Sequence, residues 1–253
     1  MRTTTALRLI DAQPKKAWTV RLTAAGLDGA DLATMDMLGE QPRHVAARQS
    51  LVREGDPAET VYVLLDGWAA RVKSFADGRR QSTALLLPGD VCNLDALYVG
   101  CHDYTVLALT ACRVAAVSRQ QLGSLAASSP NVAVALGWFA CVENAIATEW
   151  LACIGRRSAR QHLAHLLCEL QLRMDAVGLA EADGFLLPLT QEEMADAMGL
   201  TAVHVNRTVQ SLRGEGLIKL DAHHLRILDW PGLQRVAGFH PGYLHLDGIR
   251  PLA

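Results

Sequence analysis

Residues 190–214 constrain the fold most, because their pattern predicts two short helices joined by a sharp turn. Thr190 is followed three residues later by Glu193, which makes a capping box at the start of the first helix. Gly199 permits the left-handed backbone that a tight turn between helices needs. Apolar residues at helical spacing give the second helix one buried face: Val205, Val209 and Leu212. This spacing is typical of a helix-turn-helix.

The other face of the second helix, which begins after Thr201, is mostly polar. It carries side chains that can bond the edges of bases: His204, Asn206, Arg207 and Gln210. Arginine can make two hydrogen bonds to guanine, and asparagine or glutamine can do the same to adenine. Residues 216–228 then predict a two-stranded wing. The pattern therefore indicates binding of double-stranded DNA, and the alternative is a helical hairpin with solvated polar residues.

Residues 44–122 alternate short β-type runs with tight turns. Asp66-Gly67 and Asp77-Gly78 are dipeptides that favour such turns, and the second is a good two-residue hairpin candidate. Regular short strands separated by glycine turns are typical of an antiparallel barrel or jelly roll.

Residues 129–155 predict one long helix. Apolar residues follow an alternating four-three spacing that a glutamate interrupts: Val132, Leu136, Phe139, Glu143, Ile146 and Trp150. A heptad-like seam of this kind pairs the helices of two chains, so we expect a homodimer joined through these residues. The alternative is a helix buried within its own chain.

Charge and cysteine spacing limit the possible partners and cofactors. The net charge of −2 shows no overall basic signature, so DNA binding depends on a local surface. The six cysteines include no CxxC pair, which argues against a zinc ribbon or an iron–sulfur loop. We expect reduced, mostly buried thiols, with Cys92 and Cys101 as candidates for a redox sensor. His223 and His224 have no third ligand nearby in the sequence, so no metal site is predicted.

Hydrophobic patterning argues against export and membrane insertion. The first residues lack the apolar run of a secretory signal, and no apolar stretch approaches about 18 residues. The most apolar segment, 131–154, is broken by Glu143, Asn144 and Glu149. We therefore expect a cytoplasmic protein without a membrane partner.

The barrel, the long helix and the winged helix-turn-helix, in this order, resemble the Crp/Fnr family of bacterial transcription regulators. The resemblance covers about residues 27–230 and is carried by "REGDPAETVYVLLDGWAARV", "LLLPGDVCNLDAL", "TACRVAAVS" and "LTQEEMADAMGLTAVHVNRTVQSLRGEGLI". It implies an α+β fold with an N-terminal antiparallel β-roll (cupin-like, or cyclic-nucleotide-binding-like), a long central dimerisation helix and a C-terminal winged helix-turn-helix. It also implies a homodimer that binds palindromic DNA, with RNA polymerase as a further partner.

These observations divide the chain into five predicted regions. They are a flexible N-terminal lead (1–26), a β-roll sensor domain (27–128), the dimerisation helix (129–155), the winged helix-turn-helix domain (156–230) and a C-terminal tail (231–253). No function is predicted for the tail.

The chain departs from the family where cyclic-nucleotide-binding members carry Gly-Glu and Arg-Ser. Here Asn93 and Leu94 stand at the first pair, and His102 and Asp103 at the second. A leucine cannot accept a hydrogen bond from a ribose hydroxyl, and an aspartate repels a phosphate. With Asp95, these residues form the predicted effector pocket, but cyclic AMP is not expected to bind it in the usual way.

Two other sensing chemistries of the family also find little support. Its oxygen sensors use a cluster of N-terminal cysteines, and no cysteine precedes Cys92. Its haem-binding sensors use a histidine near the junction of barrel and helix. His102 is the single histidine between residues 45 and 161, and we do not expect it to be an axial ligand. No cofactor is therefore predicted, and the effector is unknown.

The resemblance also assigns roles in DNA contact. Arg207 matches the family arginine that reads guanine, whereas Ala202 and Val203 stand at the other usual reading positions. Base preference is therefore expected to differ, with His204 and Asn206 supplying the difference. The residues at family phosphate-contact positions are Thr190 and Gln191. The complete predicted set is Thr190, Gln191, Thr201, Ala202, Val203, His204, Asn206, Arg207 and Gln210.

We predict a transcription regulator gated by an unknown signal at the β-roll. One alternative is a constitutive DNA binder whose sensor pocket has decayed. Another is a cupin-type metal enzyme, which would need a His/His/Glu cluster, whereas residues 44–122 contain only His44 and His102. The sequence has no recognisable catalytic motif, so no catalytic residue is assigned and no enzymatic activity is expected.

Overall fold

The structure is a computed structural model that describes residues 15–249. The described part begins with two helices and seven strands, followed by three further helices. Their bounds are α1 Lys15–Ala24, α2 Gly29–Met37, β1 Arg43–Val45, β2 Ser50–Val52, β3 Thr60–Asp66, β4 Ala69–Ser74, β5 Arg80–Leu86, β6 Thr105–Ala108, β7 Cys112–Ser118, α3 Arg119–Ser128, α4 Pro130–Arg156 and α5 Ala159–Ala176. A short 3-10 helix, Leu94–Leu97, lies between β5 and β6.

The seven strands form the predicted β-roll. One sheet has the order β1-β7-β3 and the other β2-β6-β4-β5, and every pair is antiparallel. The hairpin between β4 and β5 turns at Asp77-Gly78, where Gly78 has a φ of +83°. Apolar side chains from alternate positions fill the space between the sheets, as the sequence pattern predicts.

Part of the predicted flexible lead is wrong, because residues 15–24 form helix α1. Trp18 and Leu22 of this helix are buried. The Trp18 indole stacks on Phe139 with ring centroids 5.9 Å apart, and its N–H donates to the Met35 carbonyl at 3.1 Å. The helix therefore packs between the β-roll and α4. Residues 1–14 of the predicted lead lie outside the described residues.

The face of α4 that was predicted to meet a second chain packs instead on its own chain. The seam residues Val132, Leu136 and Phe139 are buried against the β-roll of their own chain, and Trp150 is buried against α5. Ile146 and Glu143 are half-buried. Val132, Leu136, Phe139 and Trp150 are covered by their own chain and are not available to a second chain. The predicted dimer seam is therefore wrong for these four residues.

By length and composition, α4 is also the one helix among residues 15–249 that qualifies as a possible membrane span. That finding is weak evidence, because the core helix of a soluble protein passes the same test. Here the buried residues of α4 are already packed on the β-roll and α5.

The C-terminal part of the chain contains the predicted winged helix-turn-helix. Its elements after α5 are β8 Gly184–Leu186, α6 Gln191–Met198, α7 Ala202–Gly214, β9 Ile218–Asp221, β10 His224–Ile227 and α8 Trp230–Ala237. Strands β9 and β10 form the wing, and β8 joins it in an antiparallel sheet of order β8-β10-β9.

The predicted C-terminal tail is a packed segment instead. Helix α8 and a 3-10 helix, Pro241–Leu244, bury Leu233, Phe239 and Leu244 against α5 and neighbouring helices. Further along, the Ile249 N–H donates to the Ala24 carbonyl of α1 at 2.8 Å. The last described residues therefore return to the N-terminal helix. Residues 250–253 lie outside the described part of the chain.

Candidate nucleic-acid interface

The two helices of the predicted motif are capped as their sequence requires. The Thr190 hydroxyl accepts from the Glu193 N–H at 3.1 Å, and the Glu193 carboxylate accepts from the Thr190 N–H at 2.8 Å. Gly199 ends α6 with a φ of +66°. The Thr201 hydroxyl then accepts from the His204 N–H at the start of α7. Local hydrogen bonds therefore fix both ends of the turn that sets the angle between the helices.

Helix α7 divides into the two faces that the sequence predicts. Val205, Val209 and Leu212 are buried against α5 and α6. The predicted DNA-contact residues lie on the other side, where Thr201, Val203, His204, Arg207 and Gln210 are exposed and Ala202 and Asn206 are half-buried. The structure thus brings the predicted residues of α7 together on one accessible surface.

Within that surface, the polar side chains differ in how freely they can meet DNA. The Asn206 amide donates to the Gln191 side chain at 3.1 Å, so these two predicted DNA-contact residues are hydrogen-bonded to each other. Arg207 is exposed and makes no ion pair or side-chain hydrogen bond with any residue between 15 and 249. Val203 is 64% exposed and offers an apolar group of the kind that contacts a thymine methyl.

Charge near α7 is locally positive. The one acidic residue at its C-terminal end, Glu215, is paired with Arg160 of α5 and accepts from Ser211 at 3.0 Å. Arg207 therefore stands on α7 without a paired acidic side chain among the described residues, whereas Arg213 has Asp221 of the wing nearby. An exposed positive surface beside a polar helix face suits a phosphate backbone.

Gly199 gives a direct test of this local geometry. Replacing Gly199 with alanine forces a side chain into left-handed backbone, so we expect the free energy of unfolding to fall by about 1 kcal/mol. Urea unfolding followed by circular dichroism measures this change. The control is Gly123→Ala within α3, where a new methyl group meets no atom within 4 Å and stability should rise by about 0.5–1 kcal/mol. Equal effects at both positions would contradict the turn.

Comparison with known proteins places this architecture. Family models match two parts of the chain, a cyclic nucleotide-binding domain at residues 42–129 and a Crp-like helix-turn-helix domain at residues 161–236. The transcriptional activator protein FnrL of Cereibacter sphaeroides is 33% identical over 222 residues, which cover 86% of this chain and 88% of FnrL. The chain belongs to the Crp/Fnr family.

Other Crp/Fnr proteins agree in sequence and in fold. The nitrogen fixation regulation protein FixK of Azorhizobium caulinodans is 29% identical over 226 residues, covering 88% of this chain and 90% of FixK. The structure of FixK2 from Bradyrhizobium japonicum superposes with a TM-score of 0.72 at 27% identity, covering 78% of this chain and 96% of FixK2. The predicted α+β fold, with β-roll, long central helix and C-terminal helix-turn-helix, is therefore confirmed.

The predicted effector residues of this Crp/Fnr chain do not converge on one pocket. Asn93 is buried and holds the backbone of β3 in place. Its side-chain amide accepts from the Tyr62 N–H and donates to the Thr60 carbonyl, both at 2.8 Å. Leu94 is buried in the apolar core between the roll and α1. Asp103 is exposed. Asn93 and Leu94 therefore help to hold the roll together, whereas Asp103 lies at its surface.

Asp95 and His102 lie nearer the interior of the roll. Asp95 accepts a hydrogen bond from the Tyr104 hydroxyl. His102 is 2% exposed, and its Nδ1 has no hydrogen-bond partner among the described residues. The positions that would bind the ribose hydroxyl and the phosphate hold a buried leucine, a histidine and an exposed aspartate. A cyclic nucleotide does not fit this residue set in the family's usual way.

Arg71 in β4 is a central residue of the roll that the sequence pattern did not single out. Its guanidinium donates to the carbonyls of Cys92, at 2.7 Å, and Val91, at 3.2 Å. It also lies 5.2 Å from the centroid of the Tyr104 ring and forms an ion pair with Glu143 of α4. This contact explains the glutamate that interrupts the apolar spacing of α4. It also connects the interior of the β-roll to the long helix.

A single substitution at Glu143 distinguishes what the apolar spacing of α4 predicts from what the Arg71–Glu143 ion pair predicts. Glu143→Leu completes the apolar spacing of α4, but it removes the one ion pair that Arg71 makes among the described residues. We expect the free energy of unfolding to fall by about 1–3 kcal/mol, because Arg71 is buried and left without its counter-charge. Urea unfolding measures the loss. The double variant Arg71→Met/Glu143→Leu should recover much of it, and a single variant as stable as the parent would contradict the pairing.

Polar contacts tie the DNA-binding domain to the sensor domain at three places. Arg80 of the β4–β5 hairpin lies 2.9 Å from the Asp196 carboxylate of α6, and the neighbouring Gln81 amide donates to the Ala197 carbonyl at 3.3 Å. Arg173 of α5 donates to Asp90 of the roll at 2.7 Å. The third is the backbone hydrogen bond from Ile249 to Ala24 described above.

The Arg173 contact belongs to a buried polar cluster. Arg173 also donates to the Glu169 carboxylate at 3.1 Å. Glu169 accepts two more hydrogen bonds, from the Trp150 indole of α4 at 3.1 Å and from the Tyr243 hydroxyl of the C-terminal segment at 2.9 Å. The long helix and the C-terminal segment therefore meet at one carboxylate, which Arg173 links to Asp90 of the sensor.

The cysteines are free thiols, most of which are buried. Cys92 is fully buried, and burial raises the pKa of its thiol far above the usual range. A thiol that stays protonated is a poor sensor of oxidants, so Cys92 is removed as a redox candidate. Cys101 is exposed and so is Cys141 of α4.

Proposed function

We propose that this Crp/Fnr protein is a sequence-specific transcription regulator that binds a palindromic promoter site as a homodimer. The observation that carries the proposal is the capped recognition helix α7, whose exposed face presents an unpaired Arg207. A helix with this geometry fits the major groove, and an unpaired arginine is available for two hydrogen bonds to guanine. FnrL, a transcriptional activator, supports the same class of activity.

The homodimer needs a seam on α4 other than the buried one. Seven exposed residues of this helix follow an unbroken three-four spacing along its free side: Val134, Gly137, Cys141, Asn144, Thr148, Leu151 and Gly155. Small residues at such positions let two helices approach closely, and a polar Asn144 at the centre favours one register. We propose that this seam, defined by these seven residues, pairs α4 with the α4 of a second copy. The two recognition helices would then meet half-sites about 34 Å apart, one turn of DNA.

Gating is proposed to act through the roll. The Arg71–Glu143 pair and the β4–β5 hairpin both lead from the roll to elements that position α7. A signal that favours one arrangement of these contacts changes DNA affinity only by its difference in affinity for the two arrangements. Cyclic AMP in its usual mode is not proposed as that signal. RNA polymerase is proposed as the protein partner of the DNA-bound dimer.

The test is selection of binding sites from random DNA duplexes by the purified chain without an added effector. A two-fold symmetric site is the expected result for a dimer that needs no added ligand. Enrichment that depends on a cell extract would show that an effector is required. Enrichment of a site without symmetry would contradict the dimer, and none under either condition would contradict DNA binding itself.

A further inference from the structure

The junction of α4 and α5 brings together three side chains that can bind a metal. Glu149 and Cys153 lie four residues apart on α4, so they share one face of the helix, and His165 lies opposite them on α5. One carboxylate oxygen, the Cys153 Sγ and one His165 ring nitrogen all lie within 4.8 Å of one another. A tetrahedral zinc ion with bonds of about 2.0–2.3 Å holds such atoms about 3.5 Å apart, so the widest separation needs to close by about 1 Å.

The histidine of this cluster is fixed in place and has a nitrogen to spare. His165 is 1% exposed, and its ring stacks on Tyr243 and meets the edge of Phe239, with centroids 5.8 and 5.1 Å away. Its Nε2 lies 3.2 Å from Glu149 but is not aligned for a hydrogen bond, so within residues 15–249 this buried atom has no hydrogen-bond partner.

A cationic group already lies between the other two side chains. The guanidinium of Arg157 donates to the Cys153 sulfur and lies 2.8 Å from the Glu149 carboxylate. Arg157 is the C-cap residue that follows α4, and it is half-buried, so its side chain can move out to solvent without unpacking a helix. The position is therefore built for positive charge, and a small divalent ion competes with Arg157 for it.

We propose that Glu149, Cys153 and His165 bind a thiophilic divalent cation of the zinc class, with water as a fourth ligand. The Cys153 thiol loses its proton to solvent when the metal–sulfur bond forms, and Arg157 leaves the cluster. Sulfur and imidazole ligands select zinc-like ions over magnesium or calcium, which prefer oxygen.

Such an ion would bridge the two helices on either side of the junction at Arg157. Helix α4 carries the proposed dimer seam and α5 begins the DNA-binding domain, so metal binding would fix the angle between them. This regulatory consequence rests on the proposed function, whereas metal binding itself does not.

The experiment is a titration of the purified full-length chain, freed of metal with a chelator, with Co²⁺ as a spectroscopic substitute for Zn²⁺. One equivalent should give the visible bands of tetrahedral Co²⁺ and a thiolate charge-transfer band in the near ultraviolet, and Zn²⁺ should displace both. Cys153→Ser should abolish the charge-transfer band. Arg157→Gln, which removes the competing cation and its charged hydrogen bonds, should tighten binding about tenfold or more.

The matched control is Cys101→Ser, which removes an exposed thiol outside both the cluster and the proposed seam and should keep the full spectrum. Circular dichroism checks that each variant folds. A band that survives in Cys153→Ser, or that disappears in the control, would overturn the proposal, as would weaker binding by Arg157→Gln. The titration contains no DNA, so its outcome is independent of the site selection described above.

Discussion

Replacing Leu151 with glutamate is expected to convert the dimer into a folded monomer and to weaken binding to a palindromic site by about 10²–10⁴-fold. Leu151 is 72% exposed on α4 and lies in the proposed seam, so the new carboxylate is solvated in the single chain. In the dimer, two glutamates would face each other without a counter-charge. DNA affinity falls because a monomer loses the gain of binding two linked half-sites.

Sedimentation velocity gives the oligomeric state, and titration of a labelled duplex gives the affinity. The matched control is Met37→Glu, which places the same charge at a large apolar residue on α2 that is 64% exposed and outside the seam. This control should remain dimeric with unchanged DNA affinity. A Leu151→Glu chain that stays dimeric would show that the free side of α4 is not the interface.

Replacing Arg207 with alanine should remove most sequence-specific binding while leaving the fold and the dimer intact. Arg207 is exposed and unpaired among the described residues, so its removal leaves no other side chain without a partner there. One bidentate contact to guanine contributes about 1–3 kcal/mol, and a dimer makes it twice, so affinity should fall by roughly 30-fold or more. Discrimination should relax at the base pair that Arg207 contacts.

The measurement is the affinity of the variant for the selected site and for a scrambled duplex at the same salt concentration. Arg43→Ala, an exposed arginine on β1 far from α7, is the charge-matched control. Lys219→Ala in the wing should instead weaken both duplexes alike, as expected for a phosphate contact. An Arg207→Ala chain with an unchanged ratio between the two duplexes would contradict base reading by this residue.

The helix-turn-helix could be predicted from the sequence because its determinants are local. The Thr190 capping box, the left-handed Gly199 and the Thr201 cap each depend on residues within four positions. The Asp77-Gly78 hairpin was predictable for the same reason. Local hydrogen bonds and backbone preferences do not depend on what packs around them, so a pattern alone identifies them.

The face of α4 could not be chosen in this way. Both sides of the helix have residues at heptad-like spacing, one through Val132, Leu136 and Phe139 and the other along the proposed seam. The side that packs on the roll is selected by contacts with Trp18 and the strands, which lie far away in the sequence. The more apolar side became the core of the single chain, which left the side with smaller residues free.

Tertiary contacts also explain what was missed elsewhere. Helix α1 has no clear amphipathic pattern, and Trp18 and Leu22 are buried only because α2, α4 and the roll surround them. The Arg71–Glu143 pair joins positions 72 residues apart in the chain, since 143 − 71 = 72. The cluster of Glu149, Cys153 and His165 spans two helices, so CxxC-type spacing could not reveal it.

The ties between the two domains have a mechanical consequence. The DNA-binding domain is held to the sensor by the chain itself at Arg157, by Arg80–Asp196, by Arg173–Asp90, by Ile249–Ala24 and by the stacking of Trp68 on Phe185. A domain held by several separate contacts cannot shift gradually, because each small displacement strains all of these contacts at once. The domain moves only when one contact breaks, and the remaining contacts are then under greater strain. We therefore expect this domain to move between discrete positions and not through a continuous range of them.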